Sequence, residues 1–194
     1  IIILLLILPL SACDQASNFE DIEKSANQGD ALSQALLGEA YVNAEGVSQD
    51  YKKAFEWYIK AAKQGNVDAQ NNLGALYANG HGVAEDDKQA FEWYNKAAKQ
   101  GNAQAQNNLG AAYANGEGVI QDYKKAFEWY SKAAEQGNAD AQKYLGFLYE
   151  DGSGVTQDYK KAFEWYNKSA EQENADAQYS LGRIYAIGQG VTQD

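Results

Sequence analysis

In 194 residues there is one cysteine, one histidine and no methionine, and 16 Lys and Arg face 27 Asp and Glu, a formal net charge of −11. With Cys13 alone, no intrachain disulfide can form. With His81 alone, and in a loop, no zinc site assembles from this chain, so no metal and no other cofactor is expected. The shortage of basic residues argues against nucleic acid, because phosphate backbones reward clustered Lys and Arg, whereas here the lysines are interleaved with more numerous acids. An anionic membrane surface would repel the body for the same reason. The apolar run Ile1 to Leu10 falls far short of the about 20 residues that span a bilayer as a helix. What the chain does have is a hydrophobic fraction of 45%, rich in Ala, Tyr and Trp, which suits one soluble domain with a packed helical core.

The apolar run ends in Leu10-Ser11-Ala12-Cys13. It resembles the h-region and lipobox of a bacterial lipoprotein signal peptide, with small residues for a peptidase cleft and a thiol to take a diacylglyceryl group. On that reading residues 1–12 are the signal peptide, Cys13 is the lipidated first residue of the mature protein, and residues 13–18 are a linker. Asp14 resembles the inner-membrane retention signal of enteric bacteria, so the expected place is the cell envelope, facing the periplasm. The competing reading is a buried apolar strand with an incidental cysteine. A basic n-region is lacking, and a chain that starts at Ile1 without Met is expected to be short of a few N-terminal residues.

Self-comparison shows a repeat. Gly38, Gly74, Gly110, Gly146 and Gly182 are spaced by 36 residues, as are Tyr41, Tyr77, Tyr113, Tyr149 and Tyr185, and Trp57, Trp93, Trp129 and Trp165. Each unit reads as two helices. Asp30, Asn66, Asn102, Asn138 and Asn174 are placed to cap a helix A, whose apolar positions follow helical spacing until a left-handed glycine such as Gly80 ends it. Asp50, Asp86, Asp122 and Asp158 start a helix B with an apolar stripe such as Ala90, Phe91, Trp93, Tyr94, Ala97 and Ala98. A glycine inside helix A costs about 1 kcal/mol relative to Ala. The expected compensation, in all five units, is a Trp or Tyr of helix B lying against the bare backbone. Gly74, Tyr77, Trp93, Gly110, Tyr113 and Trp129 are thus structural signature positions.

The pattern LG..Y..G.GV..D..KAFEWY.KAA.QG resembles the Sel1-like repeat, a relative of the tetratricopeptide repeat. The resemblance implies an all-α fold, an α/α solenoid coiled into a right-handed superhelix of 36-residue repeats, used mostly to hold other proteins. Residues 19–29 match the second half of helix B but carry Asp21 where Trp belongs, as a degenerate capping half-repeat would. Residues 30–194 hold four full repeats and an incomplete fifth, which leads us to expect that the natural protein continues. Ala44 and Glu173 stand where other units have a closing glycine, so those junctions are expected to bend differently.

No catalytic constellation emerges. Glu56, Glu92, Glu128 and Glu164 occupy one place in four units, whereas catalysis needs a unique geometry. The Gly116-Glu117-Gly118 loop could suggest a phosphate cradle, but it recurs at every hairpin. A cysteine-rich branch of the Sel1-like family has been linked to β-lactam hydrolysis. This sequence has neither its cysteine pairs nor any Ser-x-x-Lys, Ser-Asp-Asn or Lys-Thr-Gly motif.

Helix A positions that differ between units fall at i, i+4 and i+7, one face of the helix. By resemblance to tetratricopeptide-type solenoids this face lines a concave groove. It carries Asn71 and Asn107 in the earlier units and Lys143, Phe147, Glu150, Tyr179 and Arg183 in the later ones. The alternative is that these are solvated positions free to drift. The expected function is a membrane-tethered scaffold for a protein or peptide partner in the cell envelope, touching the membrane through the lipid alone and without a reaction of its own. The alternatives are an envelope hydrolase acting on β-lactams or peptidoglycan, and a spacer between other domains.

Overall fold

A computed structural model describes residues 12–188, with side chains from residue 19 onward, and its described residues are helices and connecting turns. The expectations for residues 1–11, and for the Cys13 side chain, lie outside that range. Helices α1 (Ala12–Asn27), α2 (Ala31–Asn43), α3 (Tyr51–Lys63) and α4 (Val67–Asn79) belong to a first compact unit, Ile1–Glu85. The second unit, Asp86–Asp194, holds α5 (Asp87–Lys99), α6 (Ala103–Asn115), α7 (Tyr123–Glu135), α8 (Ala139–Asp151), α9 (Tyr159–Ala170) and α10 (Ala175–Ile187). Within each unit every helix packs against the next in sequence, the arrangement of an α/α solenoid.

The caps set the helix limits. The Ala69 N–H donates to Oδ1 of Asn66 at 2.8 Å, and the same bond recurs from Ala105 to Asn102 and from Ala141 to Asn138. Each such cap contributes about 1 kcal/mol. Helix B starts are held by Asp50 and Asp122, which accept from the N–H groups of Lys52 and Lys53, and of Lys124 and Lys125. Gly80, Gly116 and Gly152 end helix A in the left-handed conformation. Ala44 takes that conformation too, at φ 62, so its junction keeps the glycine geometry. Glu173 is also left-handed, at φ 64 where Gly65, Gly101 and Gly137 stand at 90–95, and α9 ends one residue earlier than the other helices B, so that junction does differ.

Leu37 and Leu73 fill the first unit's core, and Leu109 and Leu145 the second's, all essentially inaccessible. Burying each is worth about 1.5–3 kcal/mol. Paired alanines late in helix B, such as Ala133 and Ala134, leave room for the next helix A. Phe of helix B meets Tyr of the next helix A edge to face, as in Phe55–Tyr77 at 5.4 Å and Phe127–Tyr149 at 5.4 Å. Buried Gln70 and Gln142 donate to the carbonyls of Ala62 and Ala134, satisfying polar groups that burial would otherwise leave costly. Helix α1 behaves as a helix B: Ala26 is buried, Phe19 meets Tyr41 edge to face, Gln34 donates to the Ala26 carbonyl, and Asp21 faces solvent.

The glycine inside helix A is matched by tyrosine, not tryptophan. A Cβ at Gly38 would lie 2.7 Å from the Tyr58 ring, and at Gly146 2.7 Å from the Tyr166 ring. The tryptophans lie half-buried along helix B, each under a lysine one turn later: Lys96 is 3.7 Å from the Trp93 ring centre and Lys132 is 4.0 Å from that of Trp129. At Gly182, whose unit has no helix B among the described residues, nothing stands within 4 Å of a Cβ. No helix among the described residues is long and apolar enough to cross a membrane.

Candidate functional site

In the second unit the helix A faces of α6 and α8, with the tyrosines of α7 and α9, enclose an open groove of about 460 Å³. One wall is Ala111 and Ala114 of α6, where the small side chains leave space. Opposite them stand Tyr144 and Phe147 of α8, and α10 closes one side with Asp176 and Ser180. Phe147 is 50% exposed, large for a phenylalanine in a packed fold, and Tyr123 and Tyr144 are 38% and 37% exposed.

The tyrosines are fixed by their neighbours. Tyr130, buried against Gly110, stacks on Tyr144 with ring centres 5.0 Å apart, and burial pushes its hydroxyl far above the usual tyrosine range. Tyr166 is also buried and shifted upward, and its hydroxyl donates to Oε2 of Glu150 at 2.9 Å. Both phenols therefore stay neutral beyond the pH at which an ordinary tyrosine ionises.

The charged candidates are paired within the unit. Lys143 donates to Asp176 at 3.1 Å, lies 4.0 Å from Asp140 and 4.3 Å from the Tyr144 ring centre, and keeps only 17% of its side chain exposed. Arg183 grips Glu150 through both carboxylate oxygens, at 2.5 and 2.6 Å. Lys143 and Phe147 therefore line the groove, while Glu150 and Arg183 form a strut from α8 to α10 beside it. Tyr179 stands out from α10 at 76% exposure, and Asn107 is buried, its Oδ1 without a donor. Asn71 belongs to the first unit, where its amide donates to Asn72.

The first unit has a smaller groove of about 300 Å³ in the same place in the repeat. Asn43, Tyr51, Tyr58 and Leu76 frame it as Asn115, Tyr123, Tyr130 and Leu148 frame the larger one. Its floor differs: Glu39, Val42, Asn72 and Ala75 stand where the larger groove has Ala111, Ala114, Tyr144 and Phe147. His81 stacks on Tyr51 at 4.5 Å in this groove. A repeated frame with a changing floor is how a scaffold varies what it holds while keeping its fold. No group of three or more His, Cys, Asp or Glu suited to a metal occurs among the described residues.

Sequence reasoning missed Tyr144, Tyr166, Asp176 and Ser180. A signal for Tyr144 existed, since its place in the repeat is taken by Leu36, Asn72, Asn108 and Ser180 elsewhere, and so varies as freely as the three positions singled out.

A family model described as Sel1 repeat matches residues 31–66, 67–102, 103–138, 139–174 and 175–194. A protective antigen of uropathogenic Escherichia coli strains displaying an SLR fold is similar at TM-score 0.86 and 42% identity, over 91% of this chain and 38% of its own. The chain thus spans well under half the length of that protein. A Sel1 repeat protein from Oxalobacter formigenes is similar at TM-score 0.82 and 34% identity, over 93% of this chain and 77% of its own. Helicobacter pylori cysteine rich protein B is similar at TM-score 0.54 and 29% identity, over 69% of this chain and 96% of its own. No curated protein matches by sequence.

Proposed function

The chain belongs to the Sel1 repeat family, and from that premise we propose that it is a lipid-anchored scaffold of the bacterial cell envelope that holds a protein or peptide partner, without a reaction of its own. The observation that carries this is the groove of the second unit. Its open floor presents Phe147, half-exposed, and Tyr144, whose ring is backed by the buried Tyr130. Rigid exposed aromatics give contact area at little entropic cost, the usual basis of interface hot spots. The stack does not need them: at those places two of the other four units have Asn and Ala, one has Leu and Glu, and one has Ser and Arg. Cys13 supplies the anchor, and the acidic body is repelled by anionic lipid, which keeps it off the membrane surface.

The test is recovery of the protein with its partners from envelope membranes, as wild type and as Phe147→Ala. Partners that depend on Phe147 support the scaffold, and an identical set from both proteins would sink it. Turnover of nitrocefin or muropeptides by the purified protein would favour the hydrolase instead. The anchor has its own check: Cys13→Ser protein should leave the membrane fraction and lose palmitate labelling.

A further inference from the structure

The electrostatics of the groove indicate the chemistry of its partner. Lys143 is the cation among its lining residues, and it is already held by Asp176 and Asp140. The nearby Arg183 is held by Glu150. A second carboxylate, Glu117, stands close enough to oppose ionisation of Tyr130 at the back of the groove. A ligand entering this space meets no unneutralised positive charge, but does meet Asp176, 77% exposed at its side chain. The whole chain carries a net charge of −11, so approach of an acidic partner is opposed at long range and that of a basic one is steered. Lys143 is one cation against two carboxylates, so the cluster keeps a net negative charge. Phe147 adds an apolar seat with no polar demand of its own.

We propose that this groove takes a lysine- or arginine-rich segment of a partner protein, with apolar side chains on Phe147 and cations against the exposed carboxylate of Asp176. The inference rests on the reading of the groove as an interaction site, and adds the charge of the occupant.

The experiment measures fluorescence anisotropy of three labelled peptides of equal length, alternating Leu with Lys, with Ser or with Glu, titrated with the full chain. The Leu-Lys peptide should bind about ten-fold or more tighter than the Leu-Ser peptide, with a preference that shrinks as salt rises, and the Leu-Glu peptide should bind weakest. Phe147→Ala should weaken the Leu-Lys and Leu-Ser peptides alike. Asp176→Asn should weaken the Leu-Lys peptide alone, and Glu128→Gln, on the exposed face of α7, should leave all three unchanged. Equal binding of the Leu-Ser or Leu-Glu peptide, still sensitive to Phe147, overturns the basic partner and leaves the interaction site standing. Leu-Lys binding that Glu128→Gln weakens as much as Asp176→Asn does would be diffuse attraction to an acidic surface, which also overturns it. Binding of every peptide indifferent to Phe147 removes both readings.

Discussion

Gly110 faces Tyr130 so closely that a methyl group on its α-carbon would sit 2.7 Å from Cδ1 and 2.8 Å from Cε1 of the ring. The ring cannot retreat, being 2% exposed and stacked on Tyr144. Gly110→Ala should therefore destabilise the fold by about 1–3 kcal/mol despite the better helix propensity of alanine. In a chain that ends at Asp194, Gly182→Ala should be neutral or stabilise by up to about 1 kcal/mol, because no described residue stands within 4 Å of its Cβ. Thermal melts of the two variants check the pair. Equal effects would show that ring contact does not explain the glycine.

The second glycine of each loop meets backbone. A Cβ at Gly118 would lie 2.1 Å from the Asp87 carbonyl oxygen, and one at Gly154 2.3 Å from that of Tyr123, each at the start of the preceding helix B. Both also have positive φ, at 66° and 72°. Backbone cannot yield as a side-chain tip can, so Gly118→Ala should cost more than Gly110→Ala, about 3 kcal/mol or more. Urea unfolding midpoints would rank them, and a smaller loss at Gly118 would contradict this packing.

Ala44 and Glu173 hold left-handed backbone that their neighbours in the repeat assign to glycine. That conformation costs a residue with a Cβ about 1 kcal/mol. Ala44→Gly and Glu173→Gly should each raise stability by roughly 0.5–1 kcal/mol, additively because the sites are far apart in sequence and share no partner. A fall in melting temperature for either would show that the residue is held by contacts worth more than the strain.

Burial pushes the hydroxyls of Tyr58 and Tyr94 up to about 12, with nearby carboxylates adding to the shift. A raised folded pKa means the native state favours the neutral phenol. The associated stability is complete below the unfolded value near pH 10 and is lost as pH rises toward 12. Each tyrosine accounts for about 2–3 kcal/mol across that window. The melting temperature should fall steeply from pH 10 to 12, and less steeply when both are replaced by Phe. Identical slopes would place the alkaline transition elsewhere.

Caps and loop glycines were legible in the sequence because each is local or repeats at a fixed step. The identity of the glycine's partner was not, since Trp93 and Tyr94 are adjacent in one apolar stripe and only packing decides which is turned inward. The pairing of the charges was not legible for a related reason. Lys143 and Arg183 could be placed on the helix A face, but their partners Asp176 and Glu150 lie 33 residues away on the neighbouring helix A. Phe147 was visible because the repeat leaves its position to alanine, glutamate or arginine elsewhere.

The central claim is that partners dock on the groove floor, and a photo-cross-linking residue in place of Phe147, in cells, tests it most directly. The account predicts a discrete cross-linked partner at Phe147 and none when the same residue replaces Glu128 on the exposed face of α7. Cross-linking of the same proteins from both positions, or from Glu128 alone, would contradict it.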